Sequence, residues 1–226
     1  MDAPTRTVLV AGATGLVGRE VLAGLLADDS VAAVLTLGRR DVPLRHPKLT
    51  QHRVDFKAAS TGSGQALPAL PRVDEAFIAL GTTIKVAGSQ EAFRAVDHDA
   101  VIAVAKAAKA AGATRLGLVS AMGADRHSAI FYNRIKGETE EALAALGFGT
   151  LVIARPSFLA GDRESLGQPV RGGEKLALRI SRLLAPLVPD NYKSIDARLV
   201  ARALLQGVAR LQGRHVLLSG AMRKAA

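Results

Sequence analysis

Three glycines and a tyrosine–lysine pair carry the chemistry most legible in this chain. Gly12, Gly15 and Gly18 recur at intervals of three within V-L-V-A-G-A-T-G-L-V-G, residues 8–18. Glycine at such positions permits a sharp turn, a close main-chain approach to a pyrophosphate, and tight packing of a helix on the preceding strand. The helix that follows presents free N–H groups and about half a positive charge to an anion. Tyr132 and Lys136 are four residues apart, so on a helix they share a face. A phenol exchanges protons poorly near neutrality, and a neighbouring ammonium stabilises its anion. Ser120 precedes Tyr132 by twelve residues and falls at the end of an apolar run, R-L-G-L-V-S-A, where a sheet offers its ligand-binding edge.

These groups need elements to hold them, and hydrophobic patterning supplies a strand–helix alternation. Residues 8–10 read as a buried strand, with Val21, Leu22, Leu25 and Leu26 on the helix after the turn. Further strands are expected at 31–37, 49–56, 74–80, 115–121 and 150–155, with a short closing strand at 215–219. Residues 58–70 read as a loose crossover and 84–89 as a glycine-containing loop. From Gln90 the 3.6 period predicts one long helix stopped by Gly112, and another runs from Tyr132 to a stop at Gly147. In the C-terminal part we expect a polar lid at 161–173 and an amphipathic helix at 176–187. Ser194 is expected to cap a last helix through Val208. The whole implies an α/β fold, a doubly wound parallel sheet of the Rossmann type. It is read as one domain over 1–226, with a small helical part, 157–226, on the substrate side.

Composition narrows the functions. The 226 residues are 49% hydrophobic, yet no run reaches the length of a membrane span. The absence of cysteine excludes disulfides, thiolate-held metals and thiol nucleophiles, and the five histidines are scattered, so no metal site is expected. The net charge of +10 is spread along the chain and aromatics are only 4%, which reads as a solubilising surface rather than a nucleic-acid platform. Residues 1–4 lead straight into the first strand, so the expected location is cytoplasmic. A monomer or homodimer is expected.

The end of the second strand reads Gly38-Arg39-Arg40. An acid there would accept from a ribose 2′-hydroxyl, whereas guanidinium groups pair with a 2′-phosphate, so NADP is favoured over NAD. The competing reading is two solvated arginines, with Asp41 on a ribose hydroxyl. Asp55 is a candidate for the adenine amino group.

Taken in order, G-A-T-G-L-V-G (12–18), L-G-T-T with a later A-G-S (80–89), A-V-D-H-D (95–99), L-V-S-A-M-G-A-D (118–125), Y-N-R-I-K (132–136) and A-R-P-S (154–157) resemble the atypical short-chain dehydrogenase/reductases. Within them the chain is similar to the branch of the Tat-interacting-protein oxidoreductases and their bacterial relatives. The resemblance implies that Ser120 meets a substrate carbonyl, Tyr132 is the acid/base, and Lys136 tunes it and binds the nicotinamide ribose. It further implies that Gly12, Thr14, Gly15, Leu16, Val17 and Gly18 cradle the pyrophosphate and that Arg39 and Arg40 take the 2′-phosphate. Asp55 and Phe56 would flank adenine. Leu80, Gly81, Thr82 and Thr83 would line the ribose side, and Pro156, Ser157 and Phe158 would sit by the nicotinamide. Two functions remain open: an NADP(H)-dependent oxidoreductase acting on a small carbonyl/alcohol substrate, or a non-catalytic NADPH-binding redox sensor or assembly factor read by a protein partner. An isomerase using NAD without net redox is a third reading, weakened by the small C-terminal part.

Overall fold

The structure is a computed structural model that describes residues 5–56, 67–160 and 189–224. Seven strands, β1 (Arg6–Ala11), β2 (Val31–Gly38), β3 (Leu49–Arg53), β4 (Glu75–Ile78), β5 (Arg115–Val119), β6 (Thr150–Arg155) and β9 (Gly213–Leu218), form one sheet. Their order is β3-β2-β1-β4-β5-β6-β9, and every neighbouring pair is parallel. A separate two-stranded pair joins β7 (Leu159–Ala160) to β8 (Ile195–Asp196). The strand order reverses direction between β1 and β4, and in such sheets the crevice outside those carboxyl ends receives ligands.

Helices cover both faces because the strands are apolar on both faces. Val8 and Val10 of β1 pack with Val17, Val21, Leu22 and Leu25 of α1 (Leu16–Leu26). The same cluster holds Val200, Leu204 and Val208 of α6 (Ala197–Arg210). Leu9 and Ala11 face the other way, against Val101, Val104 and Ala108 of α4 (Val101–Ala110) and Leu143 of α5 (Phe131–Ala145). Alternation along one strand thus feeds two cores.

An ionic clasp closes the amino edge of the sheet. The Arg6 guanidinium donates to both Glu75 carboxylate oxygens at 2.9 Å and to Asp28 and Ser30 at 2.7 Å. It ties the starts of β1 and β4 to the turn before β2. The Arg6 guanidinium is held above its ordinary range by Glu75 and Asp28, against burial, the largest single influence, which pulls it down.

The doubly wound parallel sheet is as expected, but several local expectations are corrected. Residues 84–89 contain a short helix, α2 (Ile84–Ala87), capped by the Thr83 hydroxyl, which accepts from the Val86 N–H. The helix expected from Gln90 as one piece is broken. It begins as α3 (Gln90–Arg94), passes through a π-helical segment, Ala95–Ala100, and resumes as α4. Asp196, not Ser194, caps α6, its carboxylate accepting the Arg198 N–H at 2.7 Å, because Ile195 and Asp196 are drawn into pairing with β7. The closing strand starts at Gly213, and Ser219 opens a further helix, α7 (Ser219–Lys224). The lid at 161–173 and the helix at 176–187 lie outside the described residues. So does most of the crossover at 58–70.

Candidate active site

The glycine turn joins β1 to α1 at the point where the strand order reverses. Gly12 adopts φ +89°, and a Cβ there would stand 2.5 Å from the Ala79 carbonyl oxygen. A Cβ on Gly18 would stand 2.1 Å from the Gly12 carbonyl oxygen. Both glycines are therefore demanded by the protein's own packing. Gly15 is different, because a Cβ there would meet only main-chain oxygens, at 3.4 and 3.9 Å. Gly15 is also the N-cap of α1 and offers no side-chain acceptor, and no acidic residue stands in the first turn. The first-turn N–H groups are thus left for an anion. Thr14 is exposed beside them and Leu16 half-buried, whereas Val17 sends its side chain into the core. This donor set fits a dinucleotide pyrophosphate.

At the far end of the crevice Arg39 and Arg40 are exposed at the carboxyl end of β2. Asp41 is held by Arg53, whose Nε and Nη2 donate to it at 3.0 and 2.7 Å. Hydrogen bonding from Arg53 keeps the Asp41 carboxyl below the ordinary carboxylate range. Arg53 stands opposite Gly38 in the β2–β3 register, which is why it reaches. Sequence reasoning missed it, since the pairing depends on the register. Asp55 is exposed, while the Phe56 ring lies 3% exposed in the core, so only its main chain is left to face adenine.

Ser120, Tyr132 and Lys136 lie at the carboxyl edge on β5 and α5, but carboxylates engage two of them. The Ser120 hydroxyl donates to Glu140 at 2.5 Å, and Glu140 is gripped by Arg155 through bonds of 2.6, 3.0 and 3.2 Å. Those bonds hold the Arg155 guanidinium above its ordinary range, against burial. The Lys136 ammonium lies 2.7 Å from Asp97 Oδ1 and 6.0 Å from the centre of the Tyr132 ring. Asp97 Oδ2 accepts the Thr82 N–H at 2.8 Å. Burial pushes the Asp97 carboxyl up, opposed by Lys136 and the Thr82 N–H. The Tyr132 ring leans on Phe93, with centres 5.5 Å apart. Asp97 and Glu140 were both passed over in the sequence, where A-V-D-H-D and K-G-E-T-E read as solvated charge.

The remaining candidates divide. Gly81 lies over the ion pair, where a Cβ would stand 3.6 Å from Asp97 Oδ1 and 3.9 Å from Lys136 Nζ. Leu80 is buried and the Thr83 hydroxyl is spent on capping α2. The Ser157 hydroxyl donates to the Lys193 carbonyl and its N–H to the Ser219 hydroxyl, so Ser157 ties the chain together after β6. Pro156 is buried and Phe158 exposed.

Fold and glycine turn together define a dinucleotide-binding α/β protein. The chain belongs to the NAD(P)H-binding family, whose sequence model matches residues 12–183, and it is an atypical short-chain dehydrogenase/reductase of the Tat-interacting-protein branch. It is 40% identical to the protein fmp52 of Emericella nidulans over 160 residues, 70% of this chain and 68% of that protein. It is 32% identical to the protein HTATIP2 of Rattus norvegicus over 209 residues, 90% of this chain and 81% of that protein. A short chain dehydrogenase family protein from Francisella tularensis shares the fold, with TM-score 0.66 and 12% identity over 97% of this chain and 99% of that one.

The expectation of a cytoplasmic location is corrected by these comparisons, because the fungal fmp52 relatives are named mitochondrial proteins. A cellular address is read by receptors and leaves no mark on a Rossmann core. Among the described residues no helix is long and apolar enough to cross a membrane.

Proposed function

We propose that this chain is an NADP(H)-dependent oxidoreductase that interconverts a small carbonyl and its alcohol, with Tyr132 as the acid/base. The observation that carries the reading is the placement of Tyr132 and Lys136 on one face of α5, at the sheet edge that the glycine turn also borders. Tyr132 stands in the first turn of α5, where the helix dipole favours negative charge. Bound in the crevice, a reduced nicotinamide supplies a hydride to the carbonyl carbon. Tyr132 gives the proton to the carbonyl oxygen, and Lys136 steadies the phenolate and holds ribose hydroxyls. Ser120 orients the carbonyl, and Pro156, Ser157 and Phe158 border the nicotinamide. The exposed Ile130 and Phe158 suit a small, mostly apolar substrate.

Replacing Tyr132 by phenylalanine is expected to lower kcat by at least about 100-fold, with the NADPH Kd unchanged. Turnover equal to that of the unaltered protein would reject the assignment.

The preference for NADP rests on Asp41, whose carboxylate is taken up by Arg53 while Arg39 and Arg40 stand exposed. Exchanging both Arg39 and Arg40 for alanine is expected to weaken NADPH binding by about tenfold or more, leaving NADH binding as it was. An unchanged NADPH-to-NADH ratio in calorimetric titration would remove the 2′-phosphate assignment.

A second reading has a specific observation behind it. Glu140 holds Ser120 and Asp97 holds Lys136, which suits a protein that binds NADPH for a partner to read. A panel of aldehydes, ketones and quinones separates the two. NADPH oxidation with any of them favours the enzyme, and tight NADPH binding with none oxidising favours the sensor.

A further inference from the structure

Asp97 is the one acidic side chain set into the π-helical segment between α3 and α4, and its position there is costly. Its side chain is 0% exposed and that of Lys136 7%, and apolar residues of similar volume would pack at least as stably as such a buried pair. A π-turn is itself uncommon and recurs at functional sites. The segment is pinned twice to α5. The Thr139 hydroxyl reaches the Asp97 carbonyl at 3.0 Å and the Ile135 carbonyl at 2.8 Å, and the Asp97 carboxylate reaches Lys136 at 2.7 Å.

The carboxylate joins three pieces of chain. Oδ2 accepts from the Thr82 N–H on the loop after β4, while Oδ1 faces the ammonium obliquely and has no aligned hydrogen-bond donor. Lysine is a flexible stem carrying three donors. Held from below by Asp97 and roofed by Gly81, it is fixed in place with donors to spare.

We infer that Asp97 is the positioning residue for Lys136: by bridging the Thr82 amide and the lysine ammonium it fixes that ammonium beneath Gly81, ready for the ribose hydroxyls on the nicotinamide side of the crevice. This rests on the NADP(H) reading above. Asp97 touches neither cofactor nor substrate and acts through the lysine and the Thr82 loop. Its contribution is confined to the nicotinamide half of the cofactor, because the adenosine half lies with Arg39 and Arg40 at the end of β2.

The test is calorimetric titration of the purified chain with NADPH and, separately, with adenosine 2′,5′-bisphosphate, which lacks the nicotinamide half. Asp97→Ala is expected to weaken NADPH binding by about tenfold and to leave the bisphosphate Kd unchanged. Asp97→Asn keeps an acceptor for the Thr82 N–H and is expected to fall between. Equal weakening for both ligands, or none for NADPH, would overturn the proposal. Should Asp97→Ala not fold, a double-mutant cycle of Asp97→Asn with Lys136→Met decides it. Once the lysine is gone, the asparagine exchange is expected to cost NADPH binding nothing further, and simple additivity would overturn the inference. Failure of the unaltered chain to bind NADPH would overturn the cofactor reading itself, and this inference with it.

Discussion

Exchanging Glu140 for alanine is expected to lower the unfolding free energy by about 3 kcal/mol, the low end of the range for removing one partner of a buried pair. Glu140 is 1% exposed and is the acceptor for both Arg155 and Ser120. Without it the Ser120 hydroxyl loses its acceptor, a cavity opens under α5, and Arg155 is left without its carboxylate. The Arg155 side chain is 25% exposed, so water recovers part of its solvation, which is why the low end applies. In a chain of this size such a loss corresponds to a fall in melting temperature of about 6–12 °C. Glu140→Gln keeps the shape and an acceptor oxygen and should cost less. Denaturant titration reads the difference, and a change below about 1 kcal/mol would mean that the pair contributes little net stability.

A methyl group on Gly18 is expected to abolish NADPH binding in practical terms, weakening it by about 100-fold or more, and to cost about 1–3 kcal/mol of stability through overpacking. Its Cβ would stand 2.1 Å from the Gly12 carbonyl oxygen. That oxygen also accepts the Gly15 N–H at 3.0 Å, so relieving the clash opens the turn on which the phosphate-binding amides depend. Gly15→Ala makes the instructive contrast, because nothing in the protein lies closer than 3.4 Å to the added carbon. It should leave the melting temperature close to that of the unaltered chain while still weakening NADPH. Equal effects of Gly15→Ala on folding and on binding would show that the turn's bareness serves packing alone.

The two glycines also mark what a linear reading can reach. Spacing identified the turn, and apolar runs located β1, β2 and β6 to within a residue or two, because buried parallel strands leave a continuous hydrophobic signature. The division of labour among the glycines was not legible, since it depends on where Ala79 of a distant strand end comes to rest. The π-helical segment escaped for a related reason. One extra residue per turn leaves the 3.6 pattern of Phe93, Val101 and Val104 nearly intact, yet it decides that Asp97 points inward. Asp97 and Glu140 were read as surface charge because their partners Lys136 and Arg155 lie on other elements. Ser194 and Asp196 are equally good caps by type, and only pairing with Leu159–Ala160 selects the second.

The Arg6 clasp lies at the opposite edge of the sheet from every residue assigned to chemistry. Changes around Tyr132, Phe158 or the loop after β4 can alter what the crevice accepts without loosening that clasp. Such a molecule is well suited to divergence: its foundation is anchored at one pole, and its catalytic repertoire is free to drift at the other.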